Sequence, residues 1–392
     1  MPLSASPTFP AAAPRVRALF IHSGNLFGGV ETAMISLARA ASEDGAGLVP
    51  SFALCFDDGR TARELRAAGG VVHALGAVRM SRPWQIHRVR TRLRQLLASL
   101  DVDICVTPSS WIHALFAPVV RACGLPLALW ANDRWSRDGW MDRMALRHKP
   151  DVVIANSRYT ADGMAVSLPG VPIRVVHCGV APLPIDRARR GSIRAALDTP
   201  DDALVIVQVA RLDAYKGHRL LIDAVSRLPA SLDWRCWFVG GTDTPLQHRY
   251  LAELEQAAVA LGVRERIRFA GARDDVGSVL AAADIFCHPN VSPEAFGIVF
   301  IEALRAGLPV VGSASGGVLD IVTPDCGRLV QAGDVVALAD ALTELASSPA
   351  LRQQLGARGP ERASTLCDSR ARADDFASAL GAFISIRSCS TS

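Results

Sequence analysis

Lysine is almost absent from this chain of 392 residues: of 42 basic residues, only Lys149 and Lys216 are lysines. Arginine takes its place nearly everywhere, so a lysine inside a motif is more informative here than in a chain of ordinary composition. The formal net charge is only +4. Proteins that bind nucleic acid need a concentrated basic face, and this small excess of charge therefore predicts no nucleic-acid partner.

Paired cysteines and membrane-length apolar runs are also missing. The nine cysteines are scattered singly, with no Cys-x-x-Cys pair, which indicates a reducing compartment and argues against a zinc site. No apolar run approaches the length of a membrane span. Residues 1–14 are rich in proline, alanine and serine and lack the basic-then-apolar order of a signal peptide. We expect a disordered N-terminal tail at 1–14 and a cytoplasmic protein.

The chain does contain enough apolar sequence for two domains. Half of its residues (50%) are hydrophobic, and a chain of this length usually divides into separate cores. Strand-like and helix-like segments alternate without internal repeats, which predicts the α/β class. Pro182 and Pro184 resist both helix and strand. We therefore place a linker there, between a domain at 15–181 and a second domain at 185–365.

The stretch around Glu294 carries the strongest functional pattern. A buried strand precedes Glu294, and Gly297 opens a helix over Ile298–Arg305. The first amides of a helix lack partners and bind phosphate well, and glycine lets a ligand approach them. Glu294 would then reach a polyol beside the phosphate, and Glu302 a second pair of hydroxyls. The alternative is that both glutamates are solvated charges at the ends of the helix.

A second anion-binding pattern lies downstream of the linker. A largely apolar strand delivers Arg211 and Lys216 into one loop. A buried strand end is an unusual place for two cations unless an anion meets them. Arginine offers a bidentate fork and lysine a point charge, a combination that suits a diphosphate. The alternative is an ordinary surface pair.

A glycine pair, Gly28 and Gly29, follows the first predicted strand and precedes a helix. Such a turn lets backbone approach a phosphate. A bare glycine pair is as often a simple turn, however, and the Gly-x-Gly-x-x-Gly fingerprint of dinucleotide-binding proteins is missing.

Three of these motifs resemble one family. The run from Glu294 to Glu302 is similar to the paired-glutamate signature of retaining GT-B glycosyltransferases of the GT4 type, the glycosyl transferase group 1 family. Arg211-x-x-x-x-Lys216-Gly and Gly-Gly-Val-Glu resemble further motifs of that family. One departure is Asp320, where the family often has glutamate. The resemblance implies two Rossmann-like domains facing across a cleft, with closing helices at 366–387 that cross back to the first domain.

The resemblance also implies roles for individual residues. Glu294 would contact the donor sugar and, with Arg211 and Lys216, form the catalytic group. Donor binding would fall to Glu302 on the ribose, to the Gly28–Gly29 turn and to a further set of residues: Phe296, Gly297 and Ile298 through their amides on the diphosphate, and Arg273 near the nucleotide base.

The acceptor side is less well defined. The family frequently has a His-Asp pair after the strand that ends near Trp130, and here the pair is Asn132-Asp133. This departure puts the role of the missing histidine in doubt. His113 is one replacement, and the alternative is that it is an ordinary histidine in a loop or at the start of a helix.

The function that follows is transfer of a hexosyl group, with retention, from a nucleotide-diphosphate sugar to a glycan, lipid-linked or small-molecule acceptor. No Asp-x-Asp signature is present in a donor loop, so we expect no metal and no cofactor. An epimerase of the same fold, a phosphorylase carrying pyridoxal phosphate and a non-enzymatic sugar-binding protein are the alternatives. A basic helix at about residues 83–100 is either a solvated face or a contact with an anionic acceptor or the inner face of a membrane.

Overall fold

The computed structural model describes residues 15–25 and 27–391 of the protein. The tail expected at residues 1–14 lies outside this range. Within it, the chain forms two parallel sheets, one in each half. The predicted α/β class, with two Rossmann-like domains facing across a cleft, is confirmed.

The first sheet has seven strands in the described part of the chain, in the spatial order β3-β2-β1-β4-β5-β6-β7. All neighbours pair in parallel. The strands are β1 (Val16–His22), β2 (Leu48–Leu54), β3 (Val71–Ala74), β4 (Ile104–Thr107), β5 (Leu127–Ala131), β6 (Val152–Ala155) and β7 (Ile173–Val175). The helices between and after them are α1 (Gly29–Ala41), α2 (Arg60–Ala67), α3 (Pro83–Ser99), α4 (Ser110–Ala122), α5 (Trp140–Ala145) and α6 (Arg158–Ser167).

The second sheet has six strands among the residues described, in the order β10-β9-β8-β11-β12-β13, again all parallel. The strands are β8 (Leu204–Val209), β9 (Trp234–Val239), β10 (Ile267–Gly271), β11 (Ile285–His288), β12 (Val310–Ser313) and β13 (Gly327–Val330). The helices are α7 (Arg190–Ala196), α8 (His218–Val225), α9 (Pro245–Ala260), α10 (Val276–Ala282), α11 (Ile298–Arg305), α12 (Val318–Ile321), α13 (Val335–Ser347), α14 (Pro349–Cys367) and α15 (Ser369–Thr391).

Helices cover both faces of each sheet, which explains why the central strands are apolar throughout. Phe20 of β1 points into a core shared with α1, and its neighbours Leu19 and Ile21 point into a second core under α3 and α4. Every residue of β4 and β6 is buried. Strands buried on both sides read as continuous hydrophobic runs, as these do.

The order of strands reverses at one point in each sheet, between β1 and β4 and between β8 and β11. Ligands in open α/β sheets bind beyond the carboxyl ends of the strands at such points. The two reversal points face each other across the boundary between the domains, and the cavity described below lies between them.

The C-terminal helix α15 returns to the first domain. Phe376 packs against Phe20 and Trp130, with ring centroids 5.7 and 5.4 Å apart. Ser369 and Ser36 of α1 share a hydrogen bond of 2.8 Å. None of the helices described is long and apolar enough to cross a bilayer.

The basic helix α3 uses three of its arginines within the fold. Arg88, Arg90 and Arg92 donate to the carbonyl oxygens of Ala77, Leu115 and Leu75, at 3.1, 2.8 and 3.0 Å. These side chains hold the helix to neighbouring loops and helices rather than forming a free basic face.

Candidate functional site

A cavity of about 1060 Å³ lies between the domains, with walls from both. Many of the predicted site residues line it: Gly28, Gly29, Arg211, Lys216, Glu294, Gly297, Ile298 and Glu302. Gly28 and Glu302, which are 274 residues apart in the sequence, thus line the same cavity. Their roles remain predictions.

Glu294 and Lys216 form a close ion pair at the centre of this cavity. The Lys216 Nζ lies 2.5 Å from Glu294 Oε2, and Asn290 donates to the same oxygen at 3.0 Å. The two charged side chains are only 13% and 21% exposed. A partly buried charge is tolerated when it is paired and hydrogen-bonded, as both are here. The sequence analysis did not single out Asn290.

Two glycine turns hold the backbone of Glu294. Gly316 has φ +85, and a Cβ there would lie 2.1 Å from the Glu294 carbonyl oxygen. The amide of Gly317 donates to the same oxygen at 2.7 Å. Gly297 has φ +98 and would bring a Cβ within 2.7 Å of the Phe300 ring. Only glycine fits this arrangement without displacement, because left-handed backbone penalises a side chain.

The N-terminus of α11 faces the first domain across a narrow gap. A Cβ on Gly29 would lie 3.6 Å from Cδ1 of Ile298, the first residue of α11. The Gly28–Gly29 turn and the start of α11 therefore enclose the same part of the cavity. An anion there would meet the positive end of the α11 dipole.

Arg211 also lines the cavity, at the end of β8. Its side chain is 56% exposed and forms an ion pair of 3.1 Å with Asp213. This contact orients the guanidinium while leaving other N–H groups of the fork available.

Glu302 lies on α11 and lines the cavity together with Glu294, which lies in the loop before this helix. Its side-chain carboxyl has no hydrogen-bond or ion-pair partner within the described ranges, although its backbone carbonyl accepts from Ala306. Burial raises the pKa of this carboxyl to about 7, although the positive charge of Arg305 opposes the shift. A half-buried carboxylate without a partner is suited to accept hydrogen bonds from a ligand.

The first domain contributes a buried pair that the sequence analysis missed. His22, at the end of β1, lies 2.7 Å from Glu31 of α1, and both line the cavity. Burial raises the pKa of Glu31, but the hydrogen bond from His22 and the backbone amides of Glu31 and Gly28 outweigh it, so the pKa lies below its ordinary value. Glu31 therefore anchors the glycine turn as a carboxylate.

The outer wall on the first domain holds further residues that were not predicted. Arg79 and Trp111 line the cavity with Phe56 and Ser109. The Arg79 guanidinium has no carboxylate partner in the part of the chain that is described. An arginine and aromatic side chains that line one cavity suit an anionic or sugar ligand.

The residues predicted for the acceptor side do not line the cavity. His113 is fully buried within α4, with its ring nitrogens 2.7 Å from Thr107 Oγ1 and 2.6 Å from the His148 carbonyl oxygen. Burial lowers the pKa of His113 to about 4, so the ring is neutral and serves packing. The alternative of an ordinary histidine near a helix start fits this position.

Asn132 and Asp133 lie in the loop after β5 and satisfy local groups. Asn132 donates to the Trp130 carbonyl oxygen at 3.0 Å, and Asp133 accepts from the Arg134 amide at 2.7 Å. Neither side chain is part of the cavity wall.

Two residues predicted to bind the donor, Arg273 and Phe296, also do not line the cavity. Arg273 forms a bidentate pair with Asp275, at 2.8 and 2.9 Å, which occupies its fork. Phe296 is buried, and its ring stacks on His177 at 5.7 Å. The buried side chain of Phe296 packs beneath the loop that carries Glu294. Only the backbone of Phe296 therefore remains a candidate for contact with a ligand.

Two parallel-sheet, Rossmann-like domains that meet at an interdomain cleft form the GT-B fold. The fold of the Anabaena protein Alr3699/HepE in complex with UDP-glucose is similar, with a TM-score of 0.81 at 22% identity over 94% of this chain and 100% of that one. WaaG, a glycosyltransferase involved in lipopolysaccharide biosynthesis, gives a TM-score of 0.66 at 19% identity over 92% and 99%.

Sequence comparison supplies the family. The glycosyltransferase family 4 model matches residues 27–182, and the glycosyl transferases group 1 model matches residues 189–362. A GDP-mannose-dependent alpha-(1-6)-phosphatidylinositol monomannoside mannosyltransferase of Mycolicibacterium smegmatis is 30% identical over 294 residues, 69% of this chain and 74% of that protein. The chain belongs to the GT4-type glycosyltransferases, as its motifs predicted.

Other relatives match over less of their length. The lipopolysaccharide core biosynthesis glycosyltransferase LpsE of Rhizobium meliloti is 36% identical over 169 residues, 43% of this chain and 47% of that protein. The chain spans about half the length of such relatives (47% and 51%).

Proposed function

We propose that this protein is a retaining glycosyltransferase that moves a hexosyl group from a nucleotide-diphosphate sugar to a glycan, lipid-linked or small-molecule acceptor. The observation that carries the proposal is the Lys216–Glu294 pair, 2.5 Å apart, in an interdomain cavity beside the start of α11. Cation, carboxylate and helix N-terminus together match the diphosphate and sugar of such a donor.

In this proposal the second domain holds the donor. Arg211, Lys216 and the amides at Gly297 and Ile298 bind the diphosphate, and Glu302 accepts from the ribose hydroxyls. Glu294 accepts from the sugar. The relative from Mycolicibacterium smegmatis is named as GDP-mannose-dependent, and the Anabaena structures hold UDP or UDP-glucose. We therefore propose a UDP- or GDP-hexose as the donor.

The proposed reaction breaks the bond between the anomeric carbon and the diphosphate oxygen, and the electron pair leaves with the diphosphate. The acceptor hydroxyl forms a new bond on the same face of the sugar, and its proton passes to a phosphate oxygen. Arg211, Lys216 and the α11 N-terminus stabilise the charge that grows on the leaving group. These groups supply positive charge at that point without a metal ion.

We place the acceptor against the first domain, where Arg79 and Trp111 line the cavity. Several relatives are named for phosphatidylinositol mannosides or inositol phosphate. A lipid-linked acceptor would bring the protein to a membrane surface. Trp84, 65% exposed at the start of α3 beside Arg82, is placed for peripheral contact with the inner face of that membrane.

Nucleotide binding and transfer test this function together. Thermal shift with UDP, GDP, ADP and dTDP identifies the base, because a ligand that binds only the folded form raises Tm. The matching nucleotide sugar is then incubated with and without a glycan acceptor. Release of the nucleoside diphosphate with transfer supports the proposal. Change of the sugar without an acceptor would mean an epimerase, and binding of free sugar without nucleotide would mean a sugar-binding protein.

A further inference from the structure

The carboxylate of Glu294 is held asymmetrically. Lys216 and Asn290 both donate to Oε2, at 2.5 and 3.0 Å, and His288 Nε2 lies 3.9 Å from the same oxygen. Oε1 has no partner within residues 15–25 and 27–391. One oxygen is therefore anchored to the protein, and the other is left for a ligand in the cavity.

Lys216 cannot be the lasting anchor if it also binds a diphosphate. The proposed donor brings two negative charges to this ammonium, and attraction to them draws Nζ away from Glu294. Asn290 carries no charge, so a diphosphate does not compete for its amide with comparable strength. Its hydrogen bond is the contact that remains when Lys216 turns to the donor.

Burial and a backbone hydrogen bond hold Asn290 beside Glu294. The residue is 3% exposed, and its backbone N–H donates to the His288 carbonyl oxygen at 3.2 Å. His288 in turn packs against Phe286 and Phe300, with ring centroids 6.0 and 5.3 Å away. A carboxylate only accepts hydrogen bonds, so Nδ2 is the atom that must face Glu294.

We propose that Asn290 is a positioning residue: it keeps Glu294 oriented toward the donor sugar while Lys216 is engaged by the diphosphate. This inference rests on the proposed function of the same site. Asn290 would therefore act on the part of the site that holds the donor sugar and not on the part that holds the nucleotide.

The first test compares Asn290→Ala with the wild type, using UDP and UDP-glucose or GDP and GDP-mannose, whichever pair binds. We expect kcat to fall about tenfold or more, because the lost hydrogen bond is made to a charged group. The Kd for the nucleoside diphosphate alone should stay within about twofold, because Asn290 does not face the nucleotide.

Asn156→Ala is the matched control. Asn156 is also 3% exposed, but its side chain exchanges hydrogen bonds with Thr160 and Asn132, at 2.8 and 3.4 Å, and not with Glu294. The Asn156→Ala variant should lose about as much stability as Asn290→Ala but keep the kcat of the wild type. If Asn290→Ala lowers kcat and nucleotide affinity only in parallel with a loss of Tm, as a general structural defect would, the inference is wrong.

Asn290→Asp gives a second readout that a structural role would not move. Its new carboxylate would face Glu294 Oε2, with Lys216, His288 and, from the first domain, Asp133 as the other titratable groups nearby. Two adjacent carboxylates share a proton only below their raised pKa. Relative to the wild type at the same pH, we expect activity to be lost near pH 8 and largely regained near pH 5.5, as the protonated acid restores the hydrogen bond.

A pH profile of Asn290→Asp that matches the wild type, together with an unchanged kcat for Asn290→Ala, would overturn the inference but leave the proposed function intact. A wild-type protein that binds no nucleotide and transfers no sugar would overturn the proposed function, and this inference with it.

Discussion

Asp320, in the second domain, accepts two hydrogen bonds from Arg158, in the first: one from its backbone amide and one from Nε, both at 2.8 Å. Arg158 begins α6, so the carboxylate also faces the positive end of that helix. Next to it, Ser157 Oγ donates to the Ala295 carbonyl oxygen at 2.6 Å. The loop that carries Glu294 is thus tied to the first domain on the side away from the cavity.

Asp320→Ala should therefore loosen the contact between the domains. The Arg158 side chain is 75% exposed, so the ionic part is screened and the loss comes mainly from the partly buried bond to the backbone amide, about 1–2 kcal/mol. We expect Tm to fall by a few degrees and KM for the donor to rise. Thermal unfolding and small-angle scattering measure the two effects. Asp320→Glu, the acid common in the family, should be milder, and equal damage from both variants would contradict this explanation.

Lys216→Ala and Glu294→Ala should differ in their effect on nucleotide affinity, because the two residues are proposed to contact different ends of the donor. Lys216→Ala removes a cation from the diphosphate, so nucleotide affinity and kcat should both fall, the latter about a hundredfold or more. Glu294→Ala should reduce kcat similarly but leave the affinity for the nucleoside diphosphate nearly unchanged. Calorimetry and a transfer assay measure these quantities. Lys149→Ala changes the other lysine of the chain, which is exposed and outside the cavity, and should behave like the wild type.

Donor binding should depend on pH through Glu302. Its pKa of about 7 means that it becomes a carboxylate only as pH rises through neutrality. Affinity for the nucleotide should therefore increase several-fold between pH 6 and 8, because the carboxylate is the better acceptor for ribose hydroxyls. Glu302→Gln should flatten this dependence in a calorimetric titration series. A wild-type affinity that is constant over this range would show that Glu302 does not contact the ligand.

The same raised pKa has an effect on stability with a defined sign. The folded state binds a proton more tightly at Glu302 than the unfolded chain, whose carboxyl titrates near its ordinary value of 4.5. The favourable contribution is therefore present below that pH and is lost as pH rises toward about 7. Denaturant unfolding of the nucleotide-free protein at pH 5 and 8 should show this loss, and Glu302→Gln should remove it.

Arg79→Gln should weaken acceptors that carry a negative charge. Its guanidinium lines the first-domain wall and has no carboxylate partner among the residues described. We expect KM for a phosphorylated acceptor to rise about tenfold, KM for a neutral one to change little, and donor affinity to stay the same. Arg94→Gln, which changes an exposed arginine of α3 outside the cavity, is the matched control. Equal effects on charged and neutral acceptors would count against an anionic subsite at Arg79.

The sequence predicted the fold well because local and tertiary preferences agree along much of the chain. Helix α11 has the bounds Ile298–Arg305 that were predicted for the helix opened by Gly297. The cavity-lining motifs were found for the same reason. Arg211, Lys216 and Glu294 combine charge with apolar flanks, a pattern that is visible without a structure.

The missed residues are those whose meaning depends on distant partners. Arg79 and Trp111 look like ordinary surface residues in the sequence, and only the fold places them on one wall. Asp275, two positions after Arg273, occupies the Arg273 guanidinium. The sequence does not show whether such a nearby carboxylate pairs with the arginine. Lys216 was predicted to bind a diphosphate, which remains a prediction; its contact with Glu294 in the structure joins residues 78 positions apart and is not visible in the sequence.

The return of α15 to the first domain has a consequence for biogenesis. Phe376 completes the aromatic cluster with Phe20 and Trp130, so strands β1 and β5 are covered by a helix made more than 200 residues later. On the ribosome, this part of the first sheet keeps an uncovered apolar face until Phe376 has been synthesised. Removal of α15 will therefore be felt first in the core beside β1.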